Sequence, residues 1–242
     1  MKNIEVCLSP ALFEFRTISE NYIVVVIDVL RATTAFCAAF DSGIKTIIPV
    51  AGLDELLKYK NSGYLTAAER NGGKVDFADF GNSPTVFLKS QLKEKKLAYS
   101  TTNGTQAIEA AKSSGLITVA SFANLTAVSQ WLHAQNLNIV ILCSGWKNTF
   151  SLEDTLCAGA LISSLTESHD YKLGCDAAET ALLLWNSSKG ELNKIVENAQ
   201  HFKRLSALGH QDDLRHCFIL NTSKAVPVWD GTGFKDISAS ME

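Results

Sequence analysis

Residues 23–34 read IVVVIDVLRATT: five β-branched residues in a row, followed within a few positions by Asp28, Arg31, Thr33 and Thr34. An apolar run without alternation suits a strand buried on both faces, as strands of parallel sheets are. An unpaired charge is costly to bury, so the aspartate and the arginine belong where the chain leaves the core. In a parallel α/β sheet that exit is the crevice at the carboxyl ends of the strands, where ligands bind. One stretch thus sets an expected fold and an expected site.

Similar short runs recur along the chain: IEVCL at 4–8, KTIIPV at 45–50, YLTAA at 64–68, KLAYS at 96–100, LITVAS at 116–121 and NIVILC at 138–143. Helical patterns separate them at Ala32–Asp41, Leu53–Lys60, Thr105–Ser113, Leu125–Ala134 and Ser151–Ser168. Strands alternating with helices of this length predict βαβ units. The expected fold is a three-layer α/β/α domain whose sheet is largely parallel, with room for antiparallel strands. Gly43 and Gly115 are expected to stop helices in the left-handed conformation. From about residue 151 the strand signal fades into a helical C-terminal portion that runs to roughly Leu220, before an extended tail containing AVPVW. No linker divides the chain, so residues 1–242 are read as a single domain.

Composition narrows the function. With 22 Lys and Arg against 25 Asp and Glu the net charge is −3, and no long block of one sign occurs. That argues against nucleic-acid or anionic-membrane partners. The N-terminus MKNIEVCLSP lacks the apolar core of a signal peptide. The six cysteines are scattered without a CxxC pair, which suits reduced thiols in a cytoplasmic protein. A homo-oligomer is left open. The five histidines form no HExxH spacing, and catalytic zinc is not expected.

Four polar clusters follow strands or open helices: Asp28–Thr34; Glu69-Arg70-Asn71-Gly72-Gly73 continuing to Asn82-Ser83-Pro84; Ser100-Thr101-Thr102-Asn103-Gly104-Thr105; and Ser144-Gly145-Trp146 leading to Glu153 and Asp154. Each alone could be helix capping. Together they would converge on one sheet edge, with acids able to hold a hard cation, two arginines, many hydroxyls and several helix N-termini. Such an edge suits a phosphorylated small molecule with Mg²⁺. The P-loop, GxGxxG, DxD and Cys-x5-Arg signatures are all absent.

Taken in order, DVLRATT at 28–34, the Glu69-Arg70 pair with FGNSP at 80–84, STTNGT at 100–105, SLEDTLCAGA at 151–160, RLSALGHQDDLRHC at 204–217 and AVP at 225–227 resemble the 2-phosphosulfolactate phosphatase (ComB) family. Where that family usually carries GFDLGNSP, this chain has VDFADFGNSP. The resemblance implies an α/β/α, Mg²⁺-dependent enzyme that hydrolyses (R)-2-phospho-3-sulfolactate to 3-sulfolactate and phosphate, on the way to coenzyme M. Alternatives are a phosphatase of another small phosphorylated hydroxy acid, or a non-catalytic protein that senses a phosphorylated metabolite.

Under that resemblance Asp28 and Arg31 carry the chemistry, and Asp28, Glu69 and Asp154, with Glu153 as an alternative, hold the metal. Thr33, Thr34, Asn82, Ser83 and Ser100–Thr105 would cradle phosphate. Arg70 or Arg204 would meet the sulfonate or carboxylate. Asp212 is either a supporting acid or part of a solvated helix face. Asp28 either attacks phosphorus or holds the cation while water attacks. No second acid stands beside it in sequence, which weighs towards ligation.

Overall fold

The computed structural model describes residues 1–16 and 21–241. The first half of the chain gives β1 (Lys2–Cys7), α1 (Pro10–Phe13), β2 (Tyr22–Ile27), α2 (Ala32–Asp41), β3 (Thr46–Pro49), α3 (Leu53–Asn61), β4 (Leu65–Arg70), β5 (Gly73–Lys74), α4 (Pro84–Leu88), β6 (Lys96–Ser100) and α5 (Gly104–Ala111). The second half gives β7 (Leu116–Ala120), α6 (Leu125–Gln135), β8 (Asn138–Cys143), α7 (Leu152–Thr166), β9 (Tyr171–Leu173), α8 (Asp176–Ser188), α9 (Leu192–Val196), α10 (Gln200–Ala207), α11 (Gln211–Cys217), β10 (Pro227–Trp229) and β11 (Phe234–Asp236).

The strands form one sheet in the order β5-β4-β6-β3-β11-β10-β7-β2-β8-β1-β9. Ile23, Val25 and Ile27 of β2 pack on α6, α7 and α8, while Val24 and Val26 face α2 and α5, so the strand is buried on both faces as its sequence requires. Helices therefore cover both faces, and the architecture is the expected α/β/α. Gly43 and Gly115 do take positive φ, 94° and 87°, at the ends of their helices. Gly159 lets α7 approach α8, because a Cβ there would collide with the Ala181 carbonyl. No helix among the described residues is long and apolar enough to cross a membrane.

The sheet departs from a plain parallel one at its centre. β4, β6 and β3 run parallel to one another, as do β7, β2, β8, β1 and β9. Between these sets lies the antiparallel hairpin β10–β11, each of whose strands pairs antiparallel to its outer neighbour. The two parallel sets therefore run opposite to each other along the sheet. The turns that follow β6 and β2 nevertheless meet at the amino end of α2, where Gly104 lies against Ala32 and Asp28. Helix α2 is buried from Ala32 to Phe40. Four of its residues are alanines spaced among phenylalanines, and Phe36 reaches Tyr99 of β6 and Phe234 of β11 edge-on at 4.9 and 5.6 Å.

Candidate active site

Beyond Ile27 the chain turns directly into α2, and Asp28 is the pivot. Its carbonyl accepts from the Thr33 amide and hydroxyl, both at 2.9 Å, and its Oδ1 accepts from the Ala32 amide at 3.2 Å. The Thr34 hydroxyl donates to the Val29 carbonyl at 2.9 Å. Thr33 and Thr34 thus tie the turn to the helix, and their hydroxyls do not reach the crevice. The structure does not bring these two expected phosphate ligands into the crevice, because their short side chains find backbone partners locally. Asp28 is 6% exposed, and burial, reinforced by the negative charges of Glu69 and Glu153, pushes its carboxyl up to about 6 despite nearby His201 and the Ala32 amide.

Arg31 forms one wall of the crevice, held rigidly from behind. Its Nη1 donates to Asp213 Oδ2 at 2.7 Å and its Nη2 to the Gly72 carbonyl at 3.2 Å. Asp213 Oδ1 accepts from the Ser83 and Thr85 hydroxyls at 2.6 and 2.7 Å. Burial alone would raise Asp213, but the bonds from Ser83, Thr85 and Arg31 outweigh it and hold the carboxyl below its usual range. The Ser83 hydroxyl is thus engaged by the Arg31–Asp213 ion pair. Asp212 proves to be the solvated neighbour, its side chain 81% exposed, while Asp213 is the buried acid.

At the end of β6 the hydroxyls of Thr101 and Thr105 each accept the other's amide, at 3.3 and 2.9 Å, which closes the turn into α5. Thr102 and Asn103 line the crevice, as does Asn82, whose Oδ1 accepts from the Tyr99 hydroxyl. Arg70 does not line it. Its guanidinium clamps the ends of β4 and β6, donating to Ser100 Oγ at 2.9 Å and to the Ser100 and Glu69 carbonyls. Ser100 is likewise taken. Gly104 opens α5 against Asp28, where a Cβ would lie 2.6 Å from Ala32 Cβ and 2.7 Å from Asp28 Oδ2. Replacing Gly104 by alanine should therefore push Asp28 off the helix end. We expect turnover to fall roughly 10-fold or more with a folded protein, since such small displacements of a reacting geometry are costly; steady-state kinetics beside circular dichroism checks this.

The last wall comes from β8 and the C-terminal helices. Trp146 stacks on His201, ring centroids 6.0 Å apart and 17° from parallel, and Lys147 Nζ and Arg204 Cζ sit 5.2 and 5.8 Å from the same indole ring. His201 Nδ1 lies 3.1 Å from Glu153 Oε1. Asp154 does not line the crevice: its two oxygens accept from the Val29 and Gly145 amides at 2.9 and 3.0 Å. Its burial beside Glu153 and Asp28 pushes its carboxyl well up. These amide bonds lock the β2 turn to the β8 turn.

Asp28, Arg31, Glu69, Asn82, Thr101–Asn103 and Arg204 thus line one crevice. Lys147 and His201 were not singled out from the sequence. His201 stands one helical turn before Arg204, and that i,i+3 spacing is the signal that places both on one face.

A Mg²⁺ fits this site in one form only. Among the described residues no three Asp, Glu, His or Cys side chains stand together as a metal cage. Glu153 is paired with His201 and Asp154 with amides, and neither lines the crevice beside Asp28 and Glu69. Mg²⁺ commonly keeps several waters and takes one or two carboxylates plus substrate phosphate. Asp28 and Glu69, which both line the crevice, fit that need. The Ser144 hydroxyl also fits, since it is buried without a hydrogen-bond partner, one residue past the Ile27–Cys143 pair just as Asp28 is.

Comparison with known proteins bears on this geometry. A family model described as 2-phosphosulpholactate phosphatase matches residues 7–232. A probable 2-phosphosulfolactate phosphatase of Thermotoga petrophila is 39% identical over 203 residues, covering 84% of this chain and 87% of that protein. One of Prochlorococcus marinus is 39% identical over 211 residues, with the same coverage of 84% and 87%. One of Clostridium novyi is 33% identical over 211 residues, covering 86% and 89%. The chain belongs to the 2-phosphosulpholactate phosphatase family.

Proposed function

We propose that this chain, as a member of that family, is a Mg²⁺-dependent phosphomonoesterase that cleaves (R)-2-phospho-3-sulfolactate to 3-sulfolactate and phosphate, a step towards coenzyme M. The observation that carries the reading is the juxtaposition of Asp28 with the amino end of α5. A buried carboxylate faces helix amides across Gly104, the pairing needed where a cation and a phosphate meet. The names of its relatives support the substrate.

In this reading Asp28 and Glu69 hold the cation, which when bound neutralises charge on the phosphoryl oxygens. Arg31, fixed by Asp213, presents donors to the same oxygens. The Thr101–Asn103 turn and the α5 amides face them from the other side. Water would attack phosphorus, and Asp28 would serve to hold the cation and not as the nucleophile. Lys147 and Arg204, both beside the Trp146 ring, meet the sulfonate and carboxylate. The six free thiols, five of them buried, suit the reducing cytoplasm.

Phosphate release from 2-phosphosulfolactate and from 2-phospholactate tests the reading. Excess EDTA should suppress turnover and Mg²⁺ restore it; full activity in chelator removes the metal from the reading. Arg204→Gln and Lys147→Gln should each raise KM about 10-fold for the sulfonated substrate and much less for 2-phospholactate. Binding of the phosphorylated acid without any phosphate release would leave a sensor.

A further inference from the structure

We propose that Glu153 and His201 form a proton-donating pair, in which His201 Nε2 protonates the ester oxygen as it leaves phosphorus. The proposal rests on the phosphomonoesterase reading and supplies the group which that reading lacks. The leaving group from 2-phosphosulfolactate is a secondary alkoxide, too basic to depart readily without a proton. The crevice carboxylates are poorly suited to giving one. Asp28 stands at the cation position, and Glu69 Oε1 is held by the Gly72 amide.

His201 has the required build. Glu153 is 2% exposed and does not line the crevice, whereas His201 does, so the imidazole bridges a buried carboxylate and the substrate space. A carboxylate oxygen accepts, so across the 3.1 Å contact Nδ1–H is the donor to Glu153 Oε1, and the Trp146 ring stacks beside the imidazole. That leaves Nε2 as the nitrogen able to reach substrate, without a hydrogen-bond partner among the described residues. The logic is that of a carboxylate orienting a catalytic histidine. A pair that served only to hold α10 on α7 would need no exposure to the crevice.

Water oxygen bonds to phosphorus while the P–O ester bond breaks, and its electron pair goes to the leaving oxygen. That oxygen takes the proton from Nε2 of the imidazolium. The released dihydrogen phosphate then returns one of the protons brought by water to the imidazole. Glu153 holds Nδ1–H throughout and acts as a positioning residue.

Leaving-group dependence reads this role directly. kcat/KM is measured for 2-phosphosulfolactate and for 4-nitrophenyl phosphate, whose phenolate departs without protonation. His201→Asn should lose about 100-fold on the first and less than about 10-fold on the second, with Glu153→Gln shifted the same way but less. The ratio of the two rates on one preparation is independent of the folded fraction. Imidazole in the buffer should restore part of the lost turnover of His201→Ala on 2-phosphosulfolactate and leave the wild type unchanged. Undiminished turnover in the His201 variants, or a loss with neither substrate selectivity nor rescue, overturns the proposal. Wild-type protein that hydrolyses neither ester with Mg²⁺ overturns the reading beneath it, and the wild-type control alone reveals that.

Discussion

Replacing Asp28 by asparagine should lower turnover about 1,000-fold or more and at the same time make the protein more stable at neutral pH. The two effects have one cause. Asp28 is ionised at pH 7 in a site that resists the charge: burial moves its carboxyl from 3.8 to about 6. At 1.36 kcal/mol for each pKa unit, holding that charge costs the native state on the order of 3 kcal/mol. The sign follows from linkage. Native Asp28 binds its proton more tightly than the unfolded chain does, so the cost is absent below about 3.8, grows between there and about 6, and is full above. Asparagine keeps the Oδ1 acceptor for the Ala32 amide and sheds the charge. Its unfolding midpoint should therefore exceed the wild type's by several degrees at pH 7, and the gap should close near pH 4. Millimolar Mg²⁺ should raise the wild-type midpoint and leave the variant's unmoved, a binding readout that needs no turnover. A gap that stays constant with pH would show that the gain comes from something other than the buried charge.

Asp28 was legible because its setting is written locally: a run buried on both faces must end somewhere, and a charge at that end marks the crevice. The same logic found the ends of β4, β6 and β8. Which way a side chain turns at such an end was not legible. Thr33, Thr34 and Ser100 carry the same hydroxyls as a phosphate cradle would, and each is satisfied within the fold. Arg70 lies beside Glu69, which lines the crevice, yet alternation along β4 sends it to the other side. The tail was legible only as extended chain. β10 and β11 have three residues each, too few for a period, and each joins its outer neighbour through a single register pair, Val228–Thr118 or Phe234–Ile47. Yet they stand at the centre of the sheet and reverse its direction there. The edge strand β9 was missed for the same reason of length. His201 and Asp213 lie on helices that follow no strand, so no strand end pointed to them. Asp212 and Asp213 differ by one position, about 100° around a helix, and only the company of buried Leu214 and Cys217 separates them.

Asp213 gives the second large effect, on the fold itself. Asp213→Ala should destabilise the protein by about 3–5 kcal/mol, the cost of leaving one member of a buried ion pair uncompensated, whereas Asp212→Ala should stay within about 0.5 kcal/mol. Arg31 keeps only the Gly72 carbonyl once Asp213 is gone, and Ser83 and Thr85 lose their acceptor as well. The pH dependence runs opposite to that of Asp28. Native Asp213 titrates below its ordinary value of 3.8, so its contribution is full above that value and is lost as pH falls through the lower, folded one. The gap between the wild type and Asp213→Ala should therefore narrow only as pH falls below the usual carboxylate range, while the wild type and Asp28→Asn already converge near pH 4. The double variant Arg31→Met with Asp213→Leu separates stability from function. Removing both charges should recover much of the lost stability, since an apolar pair can replace a buried ion pair, but turnover should stay low because the donors of Arg31 are gone. Urea unfolding of the three variants measures the first part and phosphate release the second. A double variant that regains activity with its stability would mean that the Arg31–Asp213 pair only braces α11 against the β2 turn, and that the phosphate is held by Lys147, Arg204 and the α5 amides alone.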